Sequence, residues 1–307
     1  MHLQPPPDVS LLLRRDAVAA GRDDAWLRRE VRAGRLVRVR HGVYADPRYT
    51  QLGAADQHRV RAAGIHQYYP STMALSHVSA ALAWGAPDWG LPLSNVHVTQ
   101  LDGDGERTEA GVVHHHVEYP LDDLTRTAEG WVSTPARAVI ESLPLLGRDS
   151  AVCVLDWVQN RGLADADVLD RTIGRQTAWP HVARSRDLLA VSDAGAQSVG
   201  ETRSRLLFRD LGLPAPVTQY PVRDRHGRVF AYLDFAWPEY GVAGEFDGRV
   251  KYVDADGRAA VEVLMAEKWR EDRIREELGW RFVRWTWYDL ARPHDLAARL
   301  RRALRLG

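Results

Sequence analysis

The sequence predicts an α+β multidomain protein, and three observations carry that expectation. Two short helical stretches precede a basic, alternating hairpin before residue 50. The middle of the chain mixes helix starts with β-alternating runs. From about residue 195 the order becomes helix, strand, strand, strand, helix, strand, helix, the pattern of a small sheet flanked by helices. At 307 residues and 45% hydrophobic content the chain is long enough for two or three cores. Lys+Arg 41 balances Asp+Glu 41, so bulk charge announces no nucleic-acid partner and its distribution must be read instead. The single cysteine excludes an intramolecular disulfide and suits a reducing cytoplasm. The opening MHLQPPPDVS lacks the basic region and apolar core of a secretory signal. No run of about eighteen apolar residues is present to span a membrane. The expected setting is cytoplasmic.

Residues 9–20 (VSLLLRRDAVAA) read as a short helix stopped by Gly21. Asp23 or Asp24 can cap a second, DAWLRREVRAG, whose Trp26 or Leu27 and Val31 face a core while Arg28, Arg29 and Arg32 fall on the surface. LVRVR and VYA then alternate around His41-Gly42, the pattern of a two-stranded wing. Between Arg22 and Arg40 stand seven arginines against three acids, the footprint of a face laid on phosphates. Such a run also suits a plain solvated surface.

This stretch, above all GRLVRVRHGVYA, resembles the N-terminal winged helix of the AbiEi-type antitoxin family. The resemblance implies a winged helix-turn-helix over residues 1–50 and, for some relatives, a repressor or antitoxin role toward a cognate toxin. Its basic positions carry over as DNA phosphate contacts: Arg28, Arg29, Arg32, Arg38 and Arg40.

The middle region, 55–190, opens on STMALSHVSAALAWG, read as one helix with Ser71 at its cap. NVHVTQ and GVVHHHVEY read as strands; Thr134 and Pro135 give a strong helix start, followed by further helices through AVCVLDWVQNRG and ADVLDRTIG. ALSHVSAA and STPARAVIE resemble the domain that follows the winged helix in AbiEi-like proteins. His114, His115 and His116 cannot all converge on a metal, because neighbours in a strand alternate faces. Cys153 reads as core packing in an apolar helix.

The stretch AYLDFAWPEYGVAGEFDGRVKY, 231–252, organises the rest. It reads as two strands around a Pro/Gly turn, with Asp234 and, eleven positions on, Glu245 set among apolar neighbours. Acids there are either solvent-facing or paired on a cation. Two at the ends of adjacent strands can converge on one Mg²⁺, an ion that activates water and neutralises charge on a phosphodiester.

Residues 195–307 resemble the Vsr-like branch of the PD-(D/E)XK nucleases, a restriction-endonuclease-like fold. GETRSRLLF, Gln219-Tyr220, LDFAWP, GEFDG, the helix with Lys268 and Asp272, and LGWRFVRWTWYDL carry the likeness. The resemblance implies catalytic roles for Glu201, Asp234 and Glu245, with Asp234 and Glu245 binding Mg²⁺ and Glu201 supporting them. It departs where a lysine is usual: Asp247 stands there, and Lys251, with Arg249 near it, is the substitute cation. Asp247 as a third metal ligand and a site without activity are the alternatives. Two functions are therefore expected to compete. One is a DNA endonuclease targeted by the winged helix, in phage defence or DNA repair. The other is a repressor or antitoxin that keeps the nuclease fold as a scaffold.

Overall fold

A computed structural model describes residues 3–4, 7–69, 72–101, 107–109, 111–116, 120–176, 181–248, 269 and 272–306. They belong to two compact units, Met1–Ser192 and Asp193–Gly307. The division falls inside SRDLLAVSDAGAQSVGE. Both units are α+β, and the three sheets are mixed or antiparallel.

The first unit begins with strand β1 (Leu11–Leu13), then α1 (Arg14–Ala19) and α2 (Asp24–Arg32). The helix expected from residue 9 thus starts later. Leu11–Leu13 pairs with β3 (Val43–Ala45), and burying Leu13 there outweighs helix propensity. Asp23 caps α2, accepting from the Trp26 N–H at 2.6 Å, and Leu27 is its buried residue. Strand β2 (Val37–Arg40) turns through Gly42, at φ +78°, into β3, giving a sheet of order β1-β3-β2. Helix α3 (Ala54–Tyr68) passes close behind, since a Cβ on Gly64 would come within 2.7 Å of Val43.

MALSHVSAALA is divided where one helix was expected. Met73–Leu75 is strand β4, and α4 (His77–Ala83) starts after Ser76. Every described residue from Met73 to Ala83 is buried, so no polar face marks the change of period. Strands β5 (Val96–Gln100), β6 (Arg107–Glu109), β7 (Val112–His116), β8 (Leu124–Arg126) and β9 (Trp131–Ser133) complete a sheet of order β6-β7-β5-β4-β9-β8. It is parallel at β5–β7 and β4–β9 and antiparallel elsewhere. Helices α5 (Pro135–Ser142), α6 (Arg148–Asn160), α7 (Ala166–Gly174) and α8 (Val182–Leu189) follow. Thr134 caps α5 with Pro135 at its first position, and Cys153 is buried in α6.

The second unit runs α9 (Val199–Asp210), β10 (Val217–Arg223), β11 (Val229–Trp237), β12 (Val242–Asp247), a helical segment α10 at 272–278, β13 (Arg281–Thr286), α11 (Trp287–Leu290) and α12 (Pro293–Leu304). The sheet order is β10-β11-β12-β13, antiparallel except for the parallel β12–β13 pair. One face packs Phe235, Trp237, Val242 and Trp285 on Phe208 of α9 and on α12. The other packs Ala231, Leu233, Ala236 and Ala243 on Ile274. Strict alternation would put Leu233 and Phe235 on one face. They lie on opposite ones, so the strand slips phase at Asp234. The α9–sheet packing is close. A Cβ on Gly200 would overlap the Phe246 ring, and one on Gly244 would lie 2.7 Å from Trp285, so both positions admit little but glycine.

Candidate functional site

Asp234 sits on β11 and Glu245 on β12. The β11–β12 ladder ends on the Phe235–Gly244 pair, and Asp234 and Glu245 are the next residue beyond it on each strand. Asp234 accepts the Phe246 N–H through Oδ2 at 2.9 Å, so a side chain takes over from the ladder at that step. Glu245 is 8% exposed, and its Oε2 accepts from Nε and Nη2 of Arg284, its parallel neighbour on β13, at 3.0 and 2.8 Å.

Glu201 enters from the first turn of α9, 7% exposed. Its N-cap Ser198 fixes it: the Glu201 N–H donates to Ser198 Oγ at 3.2 Å, and that hydroxyl donates to Glu201 Oε1 at 2.7 Å. Its Oε2 accepts from the Gln197 N–H at 2.9 Å and from Gln219 Nε2 at 3.3 Å. Gln219 lies at φ +48°, backbone that a residue with a Cβ avoids. Its neighbours Thr218 and Tyr220 pair with Phe235 and Leu233, so Gln219 stands opposite Asp234, where β11 slips phase. The strained glutamine thus bonds the helix acid from a position opposite Asp234. Nothing in the sequence around Gln219-Tyr220 foretells this role.

The three acids are not drawn into one tight group. Among the described residues, the set whose ligand atoms all lie within 4.8 Å is a different one. Asp247 is exposed at the end of β12, opposite Thr286. Lys251, Arg249 and Lys268 lie outside the described residues. The donor type at Asp234 and Glu245, carboxylates on neighbouring strands, suits Mg²⁺, which binds through one or two carboxylates and keeps its waters.

In the first unit, the acids of the basic stretch are taken up locally. Asp24 is bidentate with Arg14 at 2.7 and 2.8 Å, Glu30 with Arg35 at 2.6 and 2.8 Å, and Asp23 caps α2. These pairs hold both carboxyls below the ordinary carboxylate range. Arg28, Arg29 and Arg32 are exposed on α2 with no ion pair among the described residues. Arg38 is exposed on β2 beside His41, Nη2 to Nδ1 3.0 Å. Arg40 differs from the expectation of a surface contact: it lies over the Tyr68 ring, 5.9 Å from its centre, with Nε and Nη1 buried.

The histidine run behaves as alternation requires. His114 turns to Gln100, and His115 meets His97 of β5, its Nε2 2.9 Å from His97 Nδ1. The set that does converge is His77, His97 and His115, drawn from α4, β5 and β7. The His77 ring stacks on His115 with centres 3.7 Å apart. His77 lies at φ +50°, a backbone strain of roughly 1–3 kcal/mol. Burial, then the neighbouring His115 and His97, pushes the His77 pKa well below its ordinary value. Burial likewise lowers His97 to about 3. Both rings are therefore neutral at physiological pH. Sequence reading missed this cluster because its members are separated by 20 and 18 residues and no local motif joins them.

No protein-family model matches the chain. Two relatives, uncharacterized proteins from two strains of Mycobacterium tuberculosis, are each 28% identical over 279 residues. The match covers 90% of this chain and 94% of each relative. The similarity therefore spans both units. No helix among the described residues is long and apolar enough to cross a membrane.

Proposed function

We propose that the protein binds DNA through its first fifty residues and cleaves phosphodiesters, with Mg²⁺, at a PD-(D/E)XK-like site in its second unit. The observation that supports this reading is that Asp234 and Glu245 directly follow the last β11–β12 pair, while Gln219, opposite Asp234 on β10, bonds Glu201. Asp234 and Glu245 would hold the ion, which supplies a water nucleophile and neutralises charge on the phosphate. Glu201 and Gln219 orient them, and Arg284 offsets the charge of Glu245. Two helices and the basic β2–β3 hairpin support the winged-helix reading, with Arg28, Arg29, Arg32 and Arg38 on phosphates.

Cleavage of labelled duplex and single-stranded DNA with Mg²⁺ or Mn²⁺ tests the activity. Asp234→Asn should lower the rate at least a hundredfold, on the order expected for losing a group that acts mainly in the transition state, and leave DNA affinity within about twofold. The double variant Arg28→Ala/Arg32→Ala should reduce the log–log salt slope of binding by about 0.9 for each lost contact. Equal cleavage by wild type and Asp234→Asn would remove the catalytic assignment.

A second reading, a repressor or antitoxin for a cognate toxin, is favoured by one observation. Glu245 already has a guanidinium partner, and the next strand-end position is Asp247 rather than lysine. Salt-dependent DNA binding without any metal-dependent cleavage would select it.

A further inference from the structure

We propose that His77, His97 and His115 form a binding site for a divalent transition metal, zinc above all, with a coordination position left for water or an external ligand. The site is separate from the carboxylates of the second unit and takes a different class of ion. Its three ligand nitrogens lie within 4.8 Å of one another. Imidazole sets of this kind select zinc, copper or nickel over magnesium and calcium. Three histidines plus an open position are the arrangement of zinc sites that bind water or substrate.

The surroundings are built as a metal ligand requires. His77 and His97 are 5% and 6% exposed, while His115 is only half-buried and gives the cluster its open side. Nδ1 of His77 lies 3.0 Å from Ser76 Oγ and 3.7 Å from Glu141 Oε2, which leaves Nε2 for an ion. The Ser76 hydroxyl on Nδ1 is the kind of outer partner that fixes the tautomer of a ligating imidazole, with the Glu141 carboxylate close behind it. Glu141 is itself positioned: Oε2 accepts from the His77 N–H and Ser133 Oγ, both at 3.3 Å, and Oε1 from Arg137 Nε at 2.7 Å. On the other side, the His97 N–H donates to Ser79 Oγ at 2.8 Å, which holds the start of β5 against α4. The left-handed backbone of His77 is a further device for aiming one ring.

One adjustment is required. Zinc–nitrogen bonds of about 2.0–2.1 Å in a tetrahedron put donor atoms roughly 3.3–3.4 Å apart, against 2.9 Å between His97 Nδ1 and His115 Nε2. The stacked His77 and His115 rings, 15° from parallel, also cannot both point at one ion. The half-exposed His115 resolves both by turning about its Cβ–Cγ bond, which opens the stack and lengthens that contact.

The test uses the full chain. Protein is loaded with Zn²⁺, dialysed against metal-free buffer, and its metal measured by mass spectrometry; a Co²⁺-loaded sample is read for the visible bands of tetrahedral cobalt. Wild type should retain about one zinc per chain and show those bands. His115→Ala and His115→Gln should bind at least roughly ten- to hundredfold more weakly, the range for disturbing even an outer support, while their metal-free circular dichroism matches wild type. Asp234→Asn should keep the zinc, which separates this site from the proposed carboxylate one. The proposal is overturned if wild type retains no zinc above the buffer blank. Equal retention by both His115 variants overturns it too, as does loss of the zinc from Asp234→Asn alone.

Discussion

Arg137→Met should destabilise the first unit by about 3–5 kcal/mol, the cost of removing one partner from a buried ion pair. Arg137 is 2% exposed, and Asp123 and Glu141 are each 1% exposed. Nε of Arg137 donates to Glu141 Oε1 at 2.7 Å and Nη1 to Asp123 Oδ2 at 3.1 Å. Asp123 keeps a second partner, Arg175, at 2.6 Å, whereas Glu141 loses the Arg137 guanidinium while the His77 N–H and Ser133 Oγ still donate to its Oε2. Methionine fills most of the volume, so the loss reads charge more than cavity. Urea unfolding of the full chain measures it. The double change Arg137→Met/Glu141→Gln should recover part of the loss, because the stranded charge is then gone. A loss under about 1 kcal/mol in the single variant would mean that water reaches the network.

The second large effect is acid lability. His58 is buried on α3 between the Leu93 carbonyl, 3.0 Å from Nδ1, and Ser79 Oγ, 2.8 Å from Nε2. Burial lowers its pKa from 6.5 to about 4. His66, buried about two turns further along α3 and bonded to the Trp131 carbonyl, shifts the same way. The folded state thus binds fewer protons than the unfolded one between pH 6.5 and 4. Stability from His58 is complete above pH 6.5 and is lost as pH falls toward 4, to a limit of about 3 kcal/mol. Chelator-treated protein melted in urea across that window should show the decline. In His58→Gln, which keeps hydrogen-bonding groups and does not titrate, the slope should fall by up to about 1.4 kcal/mol per pH unit. An unchanged slope in that variant would assign the lability elsewhere.

What the sequence disclosed follows the range of the forces involved. Helix starts with a capping side chain were legible: Asp23 before α2 and Thr134 before α5 form local hydrogen bonds that a reader can anticipate. Strands β10, β11 and β12 were legible because turn residues and alternation mark them. Leu11–Leu13 and Met73–Leu75 were not, since three-residue strands carry no periodicity and exist through partners at Val43–Ala45 for the first and at Val96–Gln100 and Trp131–Ser133 for the second. The carboxylates were singled out because a charged residue among apolar neighbours is anomalous on its face. The role of Gln219 was hidden, because it depends on a positive φ that no residue type announces. The histidine trio was hidden for the opposite reason: each member is unremarkable alone, and convergence is a property of strand order.

That strand order also sets a timetable for biosynthesis. Strand β4 has β5 on one side and β9 on the other, and its Ala74 faces Trp131, 57 residues later in the chain. At about 5–20 residues per second, a ribosome needs roughly 3–11 seconds to supply that partner. Through that interval a fully apolar strand, destined for the middle of a six-stranded sheet, keeps one hydrogen-bonding edge open. The emerging chain is then open to mispairing with other nascent chains, and a chaperone that shields residues 73–75 until 131–133 appears would raise the yield of soluble protein.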